Sequence, residues 1–256
     1  MNSRLKDLLG RGLRLTRLEL VPVRVRSGVA AGARWTLYPW TSYWRGTHER
    51  AMQAAMMGLG GGDIRSWSCW DLGAHYGLYS VGLARRVGPG GQVAAFEPNP
   101  LSFARLSRHA RMNGLTWLKA FNGAVSDEAG TGELFTYGDL GSTVTHLPYD
   151  GEVRQAGSGV LEVRTYRLDD LVGAGEIRPP RFVKVDVEGH GHHALAGMKA
   201  TLGAHRPILI VGFHSPQEED GILGLLEPLR YERREIEPGT GTTGSLIGRD
   251  LMFVPV

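Results

Sequence analysis

The stretch Lys184-Val-Asp186-Val-Glu188-Gly-His190-Gly-His192-His193 packs two carboxylates and three imidazoles into ten residues. Residues of these types can bind a divalent cation, move protons, or merely decorate the end of a buried strand. A protein-held transition metal is not expected. The histidines lack the i, i+4 spacing that puts two imidazoles on one helix face, and Cys69 is the only cysteine, so no thiolate cluster can form. A Mg²⁺ held by Asp186 with oxygens of a substrate stays open but is not favoured; that ion needs only one or two carboxylates. Proton transfer fits best, because an imidazole titrates near neutrality.

The elements that must position these groups follow from the pattern. From Ser66 onward, short apolar runs alternate with amphipathic stretches, the signature of a parallel sheet covered on both faces. "SWSCWDLG", "GQVAAFEP", "TWLKAFNGAV", "RFVKVDVEG" and "ILIVGFH" read as successive core strands. "YSVGLARRVG", "LSFARLSRHARMNG", "HHALAGMKATLGAHRP" and "GILGLLEPL" read as helices, the third with a buried stripe of Leu195, Met198 and Leu202. "GELFTY" and "GVLEVRTYRLDDL" flank a Gly/Ser-rich excursion. "YERREIE" and "DLMFVPV" close the chain, joined by a glycine-rich segment without a helix, so they must pair antiparallel. Upstream, "VPVRVRSG" and "ARWTLYP" predict a β-hairpin, and "HERAMQAAMMGLG" a helix ended by glycines.

At 256 residues, 42% hydrophobic and 21% charged, the chain reads as one large globular α/β domain. A lone cysteine fits a reducing compartment, no run is long and apolar enough to cross a bilayer, and the N-terminus is too charged for a signal peptide. A cytoplasmic protein is the expectation. The net charge of +3 is uneven: residues 1–40 carry eight Lys/Arg against Asp7 and Glu19. Leu5, Leu8, Leu9, Leu13, Leu15 and Leu18 interleave with those cations at roughly helical spacing, predicting a basic amphipathic helix. It either caps the domain with a solvated face or docks on an anionic substrate, carrier or membrane surface. Nucleic acid is a poor partner, since no stripe of cations and aromatics crosses the domain.

A second candidate site lies in "DLGAHYG", after the first core strand. Gly73 and Gly77 let the backbone approach a ligand at the sheet's carboxyl edge, although the G-x-x-x-G spacing lacks the third glycine of the dinucleotide fingerprint. Glu97 ends the next strand 24 residues after Gly73, where an acidic side chain can accept hydrogen bonds from both ribose hydroxyls. An adenosine-containing ligand is expected.

In order, "YWRGTHE", "DLGAHYGLYS", "FEPNP", "NGAVSD", "RLDDL", "VKVDVEG" and "LAGMKATLGAHRPILIV" resemble the FkbM-type S-adenosylmethionine-dependent methyltransferases, over roughly Tyr43 to Phe213. The resemblance implies a Rossmann-like class I methyltransferase fold: a mostly parallel seven-stranded sheet with a C-terminal antiparallel hairpin, here over residues 46–256, with residues 1–45 as an N-terminal helix and hairpin extension. It implies that Asp71, Gly73, Ala74 and Gly77 shape the loop around the methionine part of S-adenosylmethionine and that Glu97 holds the ribose. Pro98 and Asn99 would flank the adenine, Ala124 and Val125 would contact its ring, and Asp186 would face the reacting centre.

Methyl transfer needs an acceptor aligned with the sulfonium carbon and a group to take its proton. His214, ending the fifth strand, is the first candidate base, with His190 second, both beside Asp186. Glu188 either sits beside the cofactor's methionine end or accepts hydrogen bonds from the next helix's N–H groups. Glu49 either folds over the methionine amino group or caps the helix that follows it. Trp35, Tyr38, Trp40, Tyr43 and Trp44 either lid an apolar acceptor or pack the hairpin. The family commonly has glutamates where Gly191 and Gly212 stand and an asparagine where His75 stands. The expected activity is O-methylation of a hydroxyl on a sugar, a polyketide-type natural product or a glycan. The alternatives are a catalytically silent S-adenosylmethionine-binding scaffold and a nicotinamide-dependent oxidoreductase. A homo-oligomer stays open.

Overall fold

The structure, a computed structural model, describes residues 21–38, 41–136, 145–147, 159–236 and 245–256. The expected basic helix, Trp40, and parts of the excursion and of the last glycine-rich segment lie outside the described residues.

Strand β1 (Pro22–Arg24) pairs antiparallel with β2 (Arg34–Thr36), as the hairpin pattern predicts, and α1 (Arg50–Met57) follows. The central sheet comprises β3 (Ser68–Leu72), β4 (Gln92–Glu97), β5 (Leu118–Asn122), β10 (Phe182–Val185), β11 (Ile208–Gly212), β12 (Tyr231–Glu235) and β13 (Asp250–Pro255). Its order is β12-β13-β11-β10-β3-β4-β5. All neighbours are parallel except β13, which runs antiparallel to both β11 and β12. This is the seven-stranded class I arrangement with its closing hairpin.

Alternation of side chains across the pleat sends residues to two cores. Cys69, Val93 and Phe182 face α1, α2 (Leu78–Val87), α3 (Pro100–Met112) and the hairpin's Val25 and Trp35. Their neighbours Trp70, Ala94, Val183 and Leu209 face α4 (Leu168–Gly173), α5 (Gly191–Ala196), α6 (Lys199–His205) and α7 (Pro216–Leu226). Among the described residues no helix is long and apolar enough to cross a membrane.

Three elements differ from the sequence reading. The expected third strand breaks at Gly123, where a Cβ would lie 2.5 Å from the Arg164 carbonyl oxygen. Its continuation β6 (Ala124–Val125) leaves the sheet and joins a second one with β7 (Gly130–Thr136), β8 (Thr145–His146) and β9 (Gly159–Tyr166). The expected helix after the histidines is two, α5 and α6. Asp169 of α4 accepts from the Ala200 and Thr201 amides and so starts α6 afresh, while Gly197 runs so close to Ser126 that its Cβ would lie 2.0 Å from that carbonyl. Finally α7 begins earlier than its apolar stretch: Ser215 caps it through the Glu218 amide, with Pro216 in the first turn.

Candidate functional site

A cavity of about 380 Å³ opens at the carboxyl ends of β3, β4 and β10, within the size range of small-molecule pockets. Ends of parallel strands converge there because each crossover helix starts on that side, leaving loop backbone and strand-end side chains around a crevice.

At its nucleotide-like end, Glu97 is 5% exposed and lines the cavity. Its Oε2 accepts from the His75 amide at 2.7 Å and its Oε1 from the Asn99 amide at 2.8 Å. Burial pushes this carboxyl up to about 7, against the pull of those two amides. A carboxylate offers about four acceptor positions, so two remain for the vicinal hydroxyls of a ribose. Pro98, Ala124 and Val125 line the cavity around it, giving the apolar surface an adenine needs. The residues present therefore fit S-adenosylmethionine.

Four residues carried over from the family stand behind the wall instead of lining it. Asp71 is fully buried in β3, takes a short hydrogen bond from Ser80 Oγ and lies beside its cross-strand partner Lys184. Ala74 is buried, Asn99 caps α3 through the Leu101 and Ser102 amides, and Gly77 starts α2 at φ 86° against Leu106. Gly73 does line the cavity: at φ 80° it lets β3 pass so near β10 that a Cβ would sit 1.9 Å from the Asp186 carbonyl oxygen.

Glu49 occupies the N-cap position of α1 but makes no side-chain cap. It lines the cavity, accepting from the Tyr79 hydroxyl at 2.5 Å and pairing with His48 at 3.0 Å. Burial works to raise its carboxyl, and the His48 and Tyr79 contacts hold it below the usual range. Of the aromatics, Trp35 and Tyr38 are core, whereas Tyr43 lines the cavity and bonds His75 Nδ1 at 2.8 Å. Burial pushes His75 down to about 3, so it is neutral.

At the other end Asp186 and Glu188 line the cavity and belong to a charge cluster whose other members, Lys184, Asp71 and His214, do not line it. Lys184, 1% exposed, lies 2.9 Å from Asp186 Oδ2 and 4.0 Å from Asp71 Oδ1. Burial opposes the charge on both Lys184 and Asp186, but their attraction prevails, raising the ammonium and lowering the carboxyl. Asp71, deeper, is raised by burial. His214 does stand beside Asp186 as the strand order implied, with Nε2 3.4 Å from Asp186 Oδ1 and 3.7 Å from Glu188 Oε2. Its ring does not titrate near neutrality, however. Burial would lower it, but the carboxylates of Glu218, Asp186 and Glu188 outweigh burial and push it up to about 9. The donor atoms of Asp186, Glu188 and His214 lie within 4.8 Å of one another. With an imidazolium in place this is a charge-paired trio, and a cation would have to displace that proton.

His190 turns elsewhere: its Nε2 lies 3.1 Å from Ser126 Oγ and its ring stacks on His193, which pairs with Asp127. It lines the cavity from that side. Glu188, at φ 52°, also lines the cavity, and the capping role considered for it belongs to Glu218. That residue, fully buried on α7, accepts from the Gly191 amide at 2.8 Å and the His214 amide at 2.7 Å, and its Oε2 lies 3.4 Å from His214 Nδ1. Sequence reasoning missed Glu218, although Ser215-Pro-Gln-Glu218 spells a capping box.

Gly191 and Gly212, where the resemblance implied acids, lie against acids from other elements. A Cβ at Gly191 would lie 2.5 Å from Glu218 Oε1. One at Gly212 would lie 3.1 Å from Asp250 Oδ1 and 3.4 Å from Asp186 Oδ1. Asp250, the cross-strand partner of Gly212, is pushed up to about 6 by burial and by Asp186.

The profile of the family described as "Methyltransferase FkbM domain" matches residues 71–236. The chain is 29% identical over 157 residues to hexuronic acid methyltransferase AglP of Haloferax volcanii, covering 61% of this chain and 60% of that protein. It is 29% identical over 153 residues to methyltransferase sdnD of Sordaria araneosa (50% of this chain, 59% of that one). It is 26% identical over 161 residues to 31-O-demethyl-FK506 methyltransferase FkbM of Streptomyces tacrolimicus (51% and 58%). The chain thus spans about 60% of the length of these curated relatives. The matched segment runs from the end of β3 to the end of β12 and takes in Glu97, Asp186, His214 and Glu218; the chain belongs to the FkbM methyltransferase domain family.

Proposed function

We propose that this protein is an S-adenosylmethionine-dependent methyltransferase that O-methylates a hydroxyl of a sugar, polyketide-type natural product or glycan. The observation that carries the reading is one cavity lined at one end by Glu97, a buried, half-satisfied carboxylate, and at the other by Asp186, whose partners Lys184 and His214 stand outside the lining. S-adenosylmethionine supplies an electrophilic methyl on a sulfonium. Glu97 accepts the ribose hydroxyls, Ala124 and Val125 cover the adenine, and Glu49 takes the ammonium. Asp186, kept ionised by Lys184, orients the acceptor hydroxyl and receives its proton. His214 balances the surrounding carboxylates as an imidazolium, and becomes a base itself only as pH rises through about 9.

Asp186 and Glu188 line that end, which supports a neutral hydroxyl over a carboxylate as acceptor, since like charges there repel. Glu218 and Asp250 stand in the space that side chains at positions 191 and 212 would fill. Asp186 and Glu188 still present carboxylates to the cavity, which favours catalysis over a silent scaffold. The G-x-x-x-G spacing and the closing hairpin argue against a nicotinamide enzyme. The lone cysteine supports a cytoplasmic location.

The test is calorimetric titration with S-adenosylhomocysteine, comparing wild type with Glu97→Gln and Glu97→Ala. Wild-type binding that weakens in both variants is expected. Wild-type protein that does not bind overturns the reading; binding that survives both substitutions overturns the ribose role of Glu97.

A further inference from the structure

Residues 21–48 contain Arg24, Arg26, Arg34 and Arg45 and no acidic residue. All four are exposed. Arg24 and Arg34 are cross-strand partners in the hairpin, which places them on one face of it. Arg24 Nη1 donates to the Gly32 carbonyl at 2.8 Å, and Arg85 Nη2, from α2, reaches the neighbouring Ala31 carbonyl at 3.3 Å. Two guanidinium groups therefore converge on one turn. Asn113 holds both the amide and the carbonyl of Arg34, tying that strand to the end of α3, where Arg111 is exposed. Beside them Arg26 and Arg45 each lie 5.0 Å from the Trp44 ring centroid. Among the described residues the arginines that pair with carboxylates are Arg65, Arg167, Arg234 and Arg249, none of them in this group.

Gathering arginines around a turn without a counter-charge costs free energy through self-repulsion, and an external anionic surface relieves that cost. Two features select a lipid surface over a nucleic acid. Residues 1–20 interleave leucines with five further cations, and leucine side chains gain from an acyl boundary but find nothing on a phosphate backbone. The chain leads from that segment through Val21, an exposed apolar residue, directly into the arginine face. We propose that the arginine face of the N-terminal hairpin, continuous in sequence with the leucine- and arginine-rich first twenty residues, docks the protein on anionic lipid bilayers.

The test is cosedimentation of the full chain with vesicles of phosphatidylcholine alone or of phosphatidylcholine with phosphatidylglycerol, at low and high salt. Binding only to the anionic vesicles, lost at high salt, is expected. Each cation near such a surface contributes about a fivefold gain in partitioning, so Arg34→Gln/Arg111→Gln should weaken binding by roughly twentyfold. Among the described residues no hydrogen bond from either side chain holds the hairpin, so this pair tests charge alone. Arg24→Gln/Arg85→Gln gives a second pair, with circular dichroism confirming that each variant folds. Equal partitioning onto neutral and anionic vesicles overturns the proposal. So does binding that both pairs leave unchanged, because the first twenty residues would then act alone, and so does retention on single-stranded RNA with none on vesicles.

Discussion

Glu218→Gln isolates the group that fixes the charge of His214. The charged groups facing that ring are Asp186 and Glu188 after β10, Glu218 on α7 and Asp250 on β13. Of the effects that hold the proton, the contact with Glu218, whose Oε2 lies 3.4 Å from the ring's Nδ1, is the largest. A charge-assisted polar contact at a buried group contributes about 1.5–3 kcal/mol, and 1.36 kcal/mol corresponds to one pKa unit, so removing the Glu218 charge lowers His214 by about one to two units. The folded value, about 9, lies above the ordinary 6.5. The stabilisation is therefore fully present below pH 6.5 and is lost as pH rises through about 9; over the whole window it amounts to roughly 3 kcal/mol. In the variant the same loss ends one to two units earlier. Histidine NMR titration reads the shift without any substrate, and urea denaturation at pH 6 and pH 9 reads the linked stability. Gly191→Ala perturbs the same carboxylate sterically, since its Cβ would meet Glu218 Oε1 at 2.5 Å, and should shift His214 in the same direction. A His214 midpoint that stays near 9 in Glu218→Gln would refute the reasoning, leaving Asp186 and Glu188 as the holders of the proton.

Glu97, pushed up to about 7, should lose its proton when ribose hydroxyls bond to it. Binding of S-adenosylhomocysteine at pH 6.5 should then release part of a proton and tighten toward pH 8, as calorimetry in buffers of different ionisation enthalpy would read; proton uptake would contradict the ribose role. Lys184→Met strands Asp71 and Asp186 without their shared cation and should cost about 3–5 kcal/mol in urea denaturation. Gly73→Ala combines a positive φ with a Cβ 1.9 Å from the Asp186 carbonyl oxygen. It should abolish S-adenosylhomocysteine binding and lower stability by at least ~1 kcal/mol from the backbone strain alone. Methyl transfer to a hydroxyl acceptor should continue in EDTA, since the proton on His214 already neutralises part of the Asp186–Glu188 charge; loss of activity restored by Mg²⁺ would show that a cation replaces that proton.

The central sheet was legible because its signals are local: apolar runs, glycines at loop entries and a helix-free link before β13 each constrain one element at a time. The turn of β6 into a second sheet was not, because it depends on β9 reaching Gly123 from about forty residues downstream. The site divides the same way. Glu97 ends a strand and Asp186 directly follows one, so the pattern that predicts the strands also finds them. The protonation of His214 is a property of three carboxylates from two elements and cannot be read from an imidazole's position in the chain. Gly191 and Gly212 make the point most sharply. Compared position by position with a family pattern, each looks like a lost acid, and losing both suggests a site emptied of chemistry. Space gives a different account: a glycine at 191 is what admits Glu218 from α7, and a glycine at 212 leaves room for Asp250 from the paired strand. Acidity around His214 is set by which carboxyl groups occupy that volume, not by which residue number carries them. A departure from the pattern therefore becomes evidence of lost function only after the neighbouring elements have been searched for the missing group.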